Sequence, residues 1–397
     1  MPERPASPHT SDDPVAVNPT SDGATIPARI QPRPGIPGDD YVNGGWKLEV
    51  ATIGAGSTGT LHRWSVFITS RSGPVFKLMS TYNRRIAAQG IAVDRIIEQE
   101  KQILGWMRRK LPARFTLEAE LEFHPENRRH WYEVETYASE LENVRFFGFG
   151  NDTPEDVPRE LRDTWLRQVR VEPSLHIPFG ERTVLELGPV LQWTDAEVEL
   201  GSPLDVERPT GFDKFGQLGV RAELELDGRD VPSFPRRGWR LETGGSGYPA
   251  VWDAGGAFGE AHAMAATYLS FGAGPILALR AGGKRVWGDF PFYESAFLGG
   301  GSTLRGYTGQ RFAGDMMAFG GAELRMPLFR MNFIARGIFG VMGLMDAGRV
   351  WYDGESDGEL HTGVGGGVFY HFAGQTVTVT AATGERTSVN FGFGMPF

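Results

Sequence analysis

The stretch "ARFTLEAELEFH", Ala113 to His124, alternates without interruption. Phe115, Leu117, Ala119, Leu121 and Phe123 fall on one side, and Thr116, Glu118, Glu120, Glu122 and His124 on the other. A period of two belongs to a β-strand. Three glutamates on one face require water there, while the opposite face is fully apolar. "RTVLELGPVLQWT" (Arg182–Thr194) repeats the pattern, setting Leu185, Leu187, Leu191 and Trp193 against Glu186, Gln192 and Thr194. "GQLGVRAELELD" (Gly216–Asp227) sets Leu218, Val220, Ala222, Leu224 and Leu226 against Arg221, Glu223 and Glu225. At the end of the chain Val389, Phe391, Phe393, Met395 and Phe397 oppose Asn390, Gly392 and Gly394.

Soluble sandwiches also alternate, so the number of segments and the loop lengths carry the argument. The pattern predicts about sixteen strands of roughly 9–11 residues, the length that crosses a bilayer at a tilt. Short turns at Ser72–Pro74, Pro178–Arg182, Gly272–Gly274 and Ala373–Gln375 alternate with long loops at 84–112, 150–167, 195–213, 288–314 and 351–362. Short connections on one side and long ones on the other are the outer-membrane arrangement. The expected fold is all-β: a transmembrane antiparallel β-barrel with a polar lumen over residues 45–397.

Composition agrees. The chain of 397 residues holds 54 glycines and 12% aromatic residues. Its mean hydropathy is only −0.28, as when wet and oily faces cancel. No run of about 18 apolar residues predicts a spanning helix. The net charge of −9 argues against a nucleic-acid partner. The absence of cysteine excludes disulfides, thiolate metal sites and cysteine nucleophiles.

Residues 1–44 are rich in Pro, Ser, Thr and Asp, lack an apolar cluster and are expected to be a disordered tail. They have no apolar core of a secretory signal, so the signal peptide is expected to be absent from this chain. Within the loop at 84–112, "AVDRIIEQEKQILGWMRRKL" (Ala92–Leu111) spaces its apolar residues for a short amphipathic helix. Covering the barrel mouth is the favoured role, with a membrane-surface role as the alternative.

Several patterns carry no chemistry. "IGAGSTG" (Ile53–Gly59) fits a dinucleotide fingerprint, but a strand-like run follows where a helix is required. "GGGSTLRG" lacks the lysine of a phosphate loop. His124, Glu126 and His130 flank a surface turn and read as solvated rather than as metal ligands. Glu118, Glu120 and Glu122 have no nucleophile or orienting group beside them and read as a polar lining. No catalysis, cofactor or metal is expected.

Four places together resemble a family. "LRGY" (Leu304–Tyr307) is similar to an arginine-glycine-aromatic loop motif. "LDGRDVPSFPRRGWRLE" (Leu226–Glu242) is similar to a hairpin with a charged Arg-Asp turn and a following Pro-x-x-Gly. "GGAELRMPL" (Gly320–Leu328) with "GLMDAGRVW" (Gly343–Trp351) resembles the strand pair after that loop. "NFGFGMPF" resembles a terminal β-signal at Asn390, Gly392, Met395 and Phe397. The chain resembles, over roughly residues 45–397, the barrel of the BamA/TamA-type outer-membrane assembly and translocation superfamily, the bacterial surface antigen domain.

The resemblance implies that 288–314 is the sixth extracellular loop and folds inward as a lumenal latch. Arg305, with Gly306 and Tyr307, should meet Glu323 and Asp346 on the next two strands. Glu323 alternates against Leu324 and Met326, and Asp346 against Phe339 and Val341, so both acids face the lumen. Whether the loop acts in function or only braces the barrel is left open by these residues. The implied activity is insertion or translocation of polypeptide at the outer membrane of a Gram-negative bacterium, or anchoring of a partner domain. Implied partners are outer-membrane lipid, lipopolysaccharide, client polypeptides, and periplasmic domains or lipoproteins. Family assembly factors carry periplasmic domains that residues 1–45 cannot hold, so a lost N-terminal part or a barrel-only member is expected. The alternatives are a passive channel for small solutes and a structural subunit of a larger surface complex.

The segment Trp46–Ile53 is short, and the last strand carries Gly392, Gly394 and Pro396. Glycine weakens a strand and proline removes a ladder bond. Asn390, Gly392, Gly394, Met395, Pro396 and Phe397 are therefore read as one side of a lateral seam able to accept a client strand, with plain fraying of a chain end as the alternative.

Overall fold

The computed structural model describes residues 29–32, 46–49, 57–70, 76–80, 84–88, 115–125, 127–180, 182–272, 274–332, 335–353, 358 and 360–395. The first strands are β1 (Arg29–Pro32), β2 (Trp46–Glu49), β3 (Ser57–Ser70), β4 (Phe76–Ser80), β5 (Arg84–Ala88), β6 (Phe115–Pro125) and β7 (Trp131–Arg145). Then come helix α1 (Arg159–Arg162), β8 (Asp163–Pro178), β9 (Thr183–Glu197), helix α2 (Pro203–Glu207), β10 (Lys214–Asp227), β11 (Gly238–Tyr248), β12 (Phe258–Ser270) and β13 (Ile276–Gly288). Two short strands, β14 (Ala296–Leu298) and β15 (Phe312–Gly314), precede β16 (Met316–Asn332), β17 (Arg336–Trp351), β18 (His361–Phe372), β19 (Gln375–Thr383) and β20 (Thr387–Phe393).

One sheet holds sixteen strands: fifteen run in order from β20 through β16, then β13 back to β6, β3 and β4, and β5 pairs with β3 off this path. Consecutive strands pair antiparallel, as a chain of hairpins demands. Registers keep like with like: Gln192 stands opposite Gln217, Leu191 opposite Leu218, and Glu186 opposite Glu223. A shift of one residue would exchange the two faces, so the alternation itself fixes the pairing.

The faces are inverted relative to a soluble protein. Gln192, Thr194, Gln217, Glu172 and Arg280 are buried, while Leu187, Leu191, Leu218, Val220 and Phe391 are exposed. Apolar residues turned outward over a polar, enclosed face are what a strand sheet bathed in lipid requires.

Two sequence expectations change. Closure into a barrel is not seen as a ladder: among the described residues β20 pairs with β19 and β4 with β3, and no pairing joins β20 to β4. Both strands are short, of seven and five residues, and offer few ladder bonds. The segment Trp46–Ile53, read as one side of the seam, contains β2, which pairs with β1 at Arg29–Pro32 in a separate two-stranded sheet. The helix expected at Ala92–Leu111 lies outside the described residues.

At the short-turn end, the β10–β11 connection is braced by its own hydrogen bonds. Arg229 donates to Asp227, and Asp230 accepts from the backbone N–H of Val231, Arg236 and Arg237. This presents Phe234, which packs with Ile276, Met342 and Phe369 and stacks on His371 at 4.8 Å. Thr376 Oγ1 donates to Ser233 O at 2.9 Å. The turn thus reaches β17, β18 and β19, four to six positions beyond β11 in the sheet order.

Candidate functional site

The connection from β13 to β16 is stiffened by local structure. A 3-10 turn at Phe292–Glu294 leads into β14, which pairs with β15 so that Leu298 faces Phe312. Between them run Gly299 to Arg311, with Gly299, Gly300 and Gly306 at positive φ, a region closed to most side chains. Leu298, Leu304 and Phe312 pack with Phe319 of β16 and Val350 of β17. This apolar anchor seats Arg305 on the polar face of the sheet.

Arg305 is only 2% exposed, and Glu323 and Asp346 are fully buried. Arg305 Nε donates to Asp346 Oδ2 at 2.5 Å and Nη2 to Oδ1 at 2.7 Å, a two-pronged pair. Arg305 Nη1 donates to Glu323 Oε1. The backbone N–H of Arg305 also reaches Asp346 Oδ2, at 3.2 Å. Burial disfavours the guanidinium charge, but the carboxylates of Asp346 and Glu323 outweigh it and hold the pKa of Arg305 above its ordinary value.

Two further arginines complete the cluster. Arg325 Nη2 lies 2.8 Å from Glu323 Oε2. Arg280 Nη2 lies 3.4 Å from Asp346 Oδ1, and its Nη1 donates to the loop carbonyl of Ser302 at 2.7 Å. Three cations and two anions share one buried space, each charge paired, as buried charges must be. The sheet leaves room for them through glycine. Gly321 stands between Arg280 and Asp346 in the ladder, and Gly363 on the other side of Asp346. A Cβ at Gly321 would strike Asp346, and one at Gly363 would strike the carbonyl of Arg305.

The neighbours of the motif sit elsewhere. Gly306 packs on the β19–β20 turn, where a Cβ would come within 2.6 Å of Gly384 N. Tyr307 donates its hydroxyl to Thr362 O at 3.2 Å. In β20, Asn390 pairs with Thr380 and Gly392 with Thr378, on the polar face. Val389, Phe391 and Phe393 are exposed on the other face. Gly394, at positive φ, donates to Thr376 O at 2.7 Å, and Met395 packs against the Phe234 cluster. Pro396 and Phe397 lie outside the described residues. The structure thus groups Arg305, Glu323 and Asp346, and keeps the terminal residues apart from them.

Arg280 and Arg325 were missed in the sequence. The signal for Arg325 was present, since "ELR" puts Glu323 and Arg325 on one face. Other polar groups form ion-pair rows. Glu223, Glu260 and His262 bring ligand atoms within 4.8 Å of one another. Both ring nitrogens of His262 are engaged by these carboxylates, at 3.0 and 3.1 Å, and Lys284 stands opposite in the ladder. The trio therefore balances charge across a wall. His124 pairs with Glu122 at 2.5 Å and stacks on Trp131, while His130 packs against Tyr132.

Among curated proteins, none matches the sequence. Among solved structures, the chain is similar to the crystal structure of BamA from Haemophilus ducreyi lacking POTRA domains 1-3, at 12% identity and a TM-score of 0.54. That match covers 94% of this chain and 75% of the other, and it speaks for the fold alone. The model of the Omp85 superfamily domain matches residues 136–395, which include the loop, both acid-bearing strands and the last hairpin. The chain belongs to the Omp85 superfamily.

Proposed function

We propose that the chain is an outer-membrane β-barrel of the protein-assembly and translocation type. It inserts or translocates polypeptide, with the β13–β16 loop folded into the lumen as a latch. The observation that carries this reading is the buried cluster of Arg305, Glu323 and Asp346. A passive pore has no need of a loop bound across its wall by three charge-assisted hydrogen bonds, which also narrow the path. The seam side at Asn390, Gly392 and Gly394 supports strand addition: β20 offers a short edge whose ladder groups lack a second strand partner among the described residues. Outer-membrane lipid and lipopolysaccharide surround the barrel. Client polypeptides, and periplasmic domains or lipoproteins, are the partners that this reading calls for.

The test is reconstitution in liposomes, followed by addition of a denatured outer-membrane barrel as client. Faster client folding than in liposomes holding an inert barrel is expected. Equal rates would refute insertion. The second reading, a solute channel, draws on the polar face, where Glu186, Glu223, Glu225 and Glu242 line a cavity of about 530 Å³. Steady, cation-selective conductance in planar bilayers, unchanged by Arg305→Ala, is its signature.

A further inference from the structure

Arg311 lies six residues beyond Arg305 and is equally buried, at 2% exposure. It does not touch the Glu323–Asp346 cluster. Its Nε donates to Glu385 Oε1 at 2.6 Å, in the turn between β19 and β20. Its Nη1 donates to Thr153 Oγ1 at 2.5 Å and its Nη2 to Thr153 O at 2.8 Å, in the segment between β7 and β8. The guanidinium is sandwiched by two rings, 4.8 Å from the centroid of Phe147 and 4.6 Å from that of Phe312. A planar cation gripped on its faces and on its edge is held in one orientation.

Each neighbour adds to the same junction. On the hairpin side, the backbone N–H of Arg386 donates to Gly306 O at 3.0 Å, and Arg386 Nη1 donates to Thr308 Oγ1 at 3.1 Å. On the β7 side, the backbone N–H of Arg145 donates to Gln310 Oε1 at 2.9 Å, and Gly150 N donates to Ala313 O at 2.8 Å. Asn151 then reaches β17, donating to Val350 O at 2.9 Å. In the sheet order β7 and β20 are separated by ten strands. The loop therefore spans residues that the ladder itself connects only by the long way round.

From this geometry we infer that Arg311 is a positioning residue that makes the loop a tie between the β7–β8 segment and the β19–β20 hairpin. The last hairpin is held at its tip by the loop, and release of the loop loosens the strand that ends the sheet. The anchor at Arg305 holds the loop to β16 and β17, whereas the anchor at Arg311 transmits its position to β20. The inference concerns this mechanical link and stands whether the barrel inserts polypeptide or conducts solute.

The test is hydrogen exchange by mass spectrometry on the full chain in lipid nanodiscs, comparing Arg311→Gln, Arg311→Lys and Glu385→Gln with the unaltered protein. Arg311→Gln should raise exchange about tenfold, the weight of one charge-assisted hydrogen bond, both in the loop at 299–314 and in the hairpin at 384–393. Arg311→Lys keeps the charge without the planar fork and should restore the hairpin only in part. Strands β10 to β12 should not change, which separates the link from general loosening. A rise confined to the loop, or no rise at all, overturns the inference. If Arg311→Gln does not fold, Glu385→Gln decides: faster exchange in both segments supports the tie, and faster exchange in the hairpin alone overturns it.

Discussion

Replacing Arg305 by alanine strips three side-chain hydrogen bonds from two buried carboxylates, two on Asp346 and one on Glu323. Hydrogen bonds to charged groups contribute roughly 1.5–3 kcal/mol each, and removing one partner of a buried pair costs about 3–5 kcal/mol. Arg325 still holds Glu323 and Arg280 still reaches Asp346, so the lower end of that range applies, about 3 kcal/mol. The apolar anchor of Leu298, Leu304 and Phe312 is untouched, so the loss falls on docking of the loop rather than on the sheet. About 3 kcal/mol is roughly a hundredfold in the docking equilibrium. Amide exchange over 299–314 should rise by that factor in Arg305→Ala, with exchange in β10 to β12 unchanged. Arg305→Lys keeps the charge but loses the two-pronged geometry on Asp346, and should fall between. Exchange in Arg305→Ala within about threefold of the unaltered chain would refute the energetic account, because a difference that small is below 1 kcal/mol.

Gly363→Ala leaves every charge in place but drives a methyl into the carbonyl of Arg305, so it should release the loop as Arg305→Ala does, read by the same exchange window. Phe234→Ala empties the cluster with Ile276, Met342 and Phe369 and should cost about 3–4 kcal/mol, measured as a lower denaturant midpoint. Burial pushes the Asp230 carboxyl up, but the backbone N–H groups of Arg236, Arg237 and Val231 outweigh it and hold its pKa below the ordinary aspartate value. Its folded pKa is thus the lower one, so its stabilisation is present above the unfolded pKa and lost as pH falls through the folded value. Asp230→Asn should flatten that part of the acid limb of a stability-against-pH curve, and an unchanged limb would count against it.

The alternation of Glu118, Glu120 and Glu122 against Leu117, Ala119 and Leu121 was enough to read a strand with one wet and one oily face. In β9 the polar face is the buried one, Gln192 being buried and Leu191 exposed, whereas in β6 Leu117 is buried and Glu118 exposed. Arg305, Glu323 and Asp346 were legible through the loop motif and the parity of two strands. Arg280 and Arg311 were not. A lone arginine in a strand or loop has no partner written beside it, since its partners lie 66 and 74 residues away, at Asp346 and Glu385. Strand β2 misled because four residues carry too little pattern to name a partner, and β1 took it. Helix α2 had a readable signal: Ser202 caps it through Asp205 N, with proline in the first turn.

The Arg305 cluster also bears on how the protein comes to be folded. Its charges are delivered by three strands, Arg280 from β13, Glu323 and Arg325 from β16, and Asp346 from β17, in one ladder register. If β16 slipped by a single residue, Glu323 and Arg325 would turn to the lipid side and Leu324 would take their place. No seat for Arg305 would then exist, and the loop could not dock. The seat of Arg305 is thus a property of the register: it exists only where β13, β16 and β17 stand in the pairing seen here.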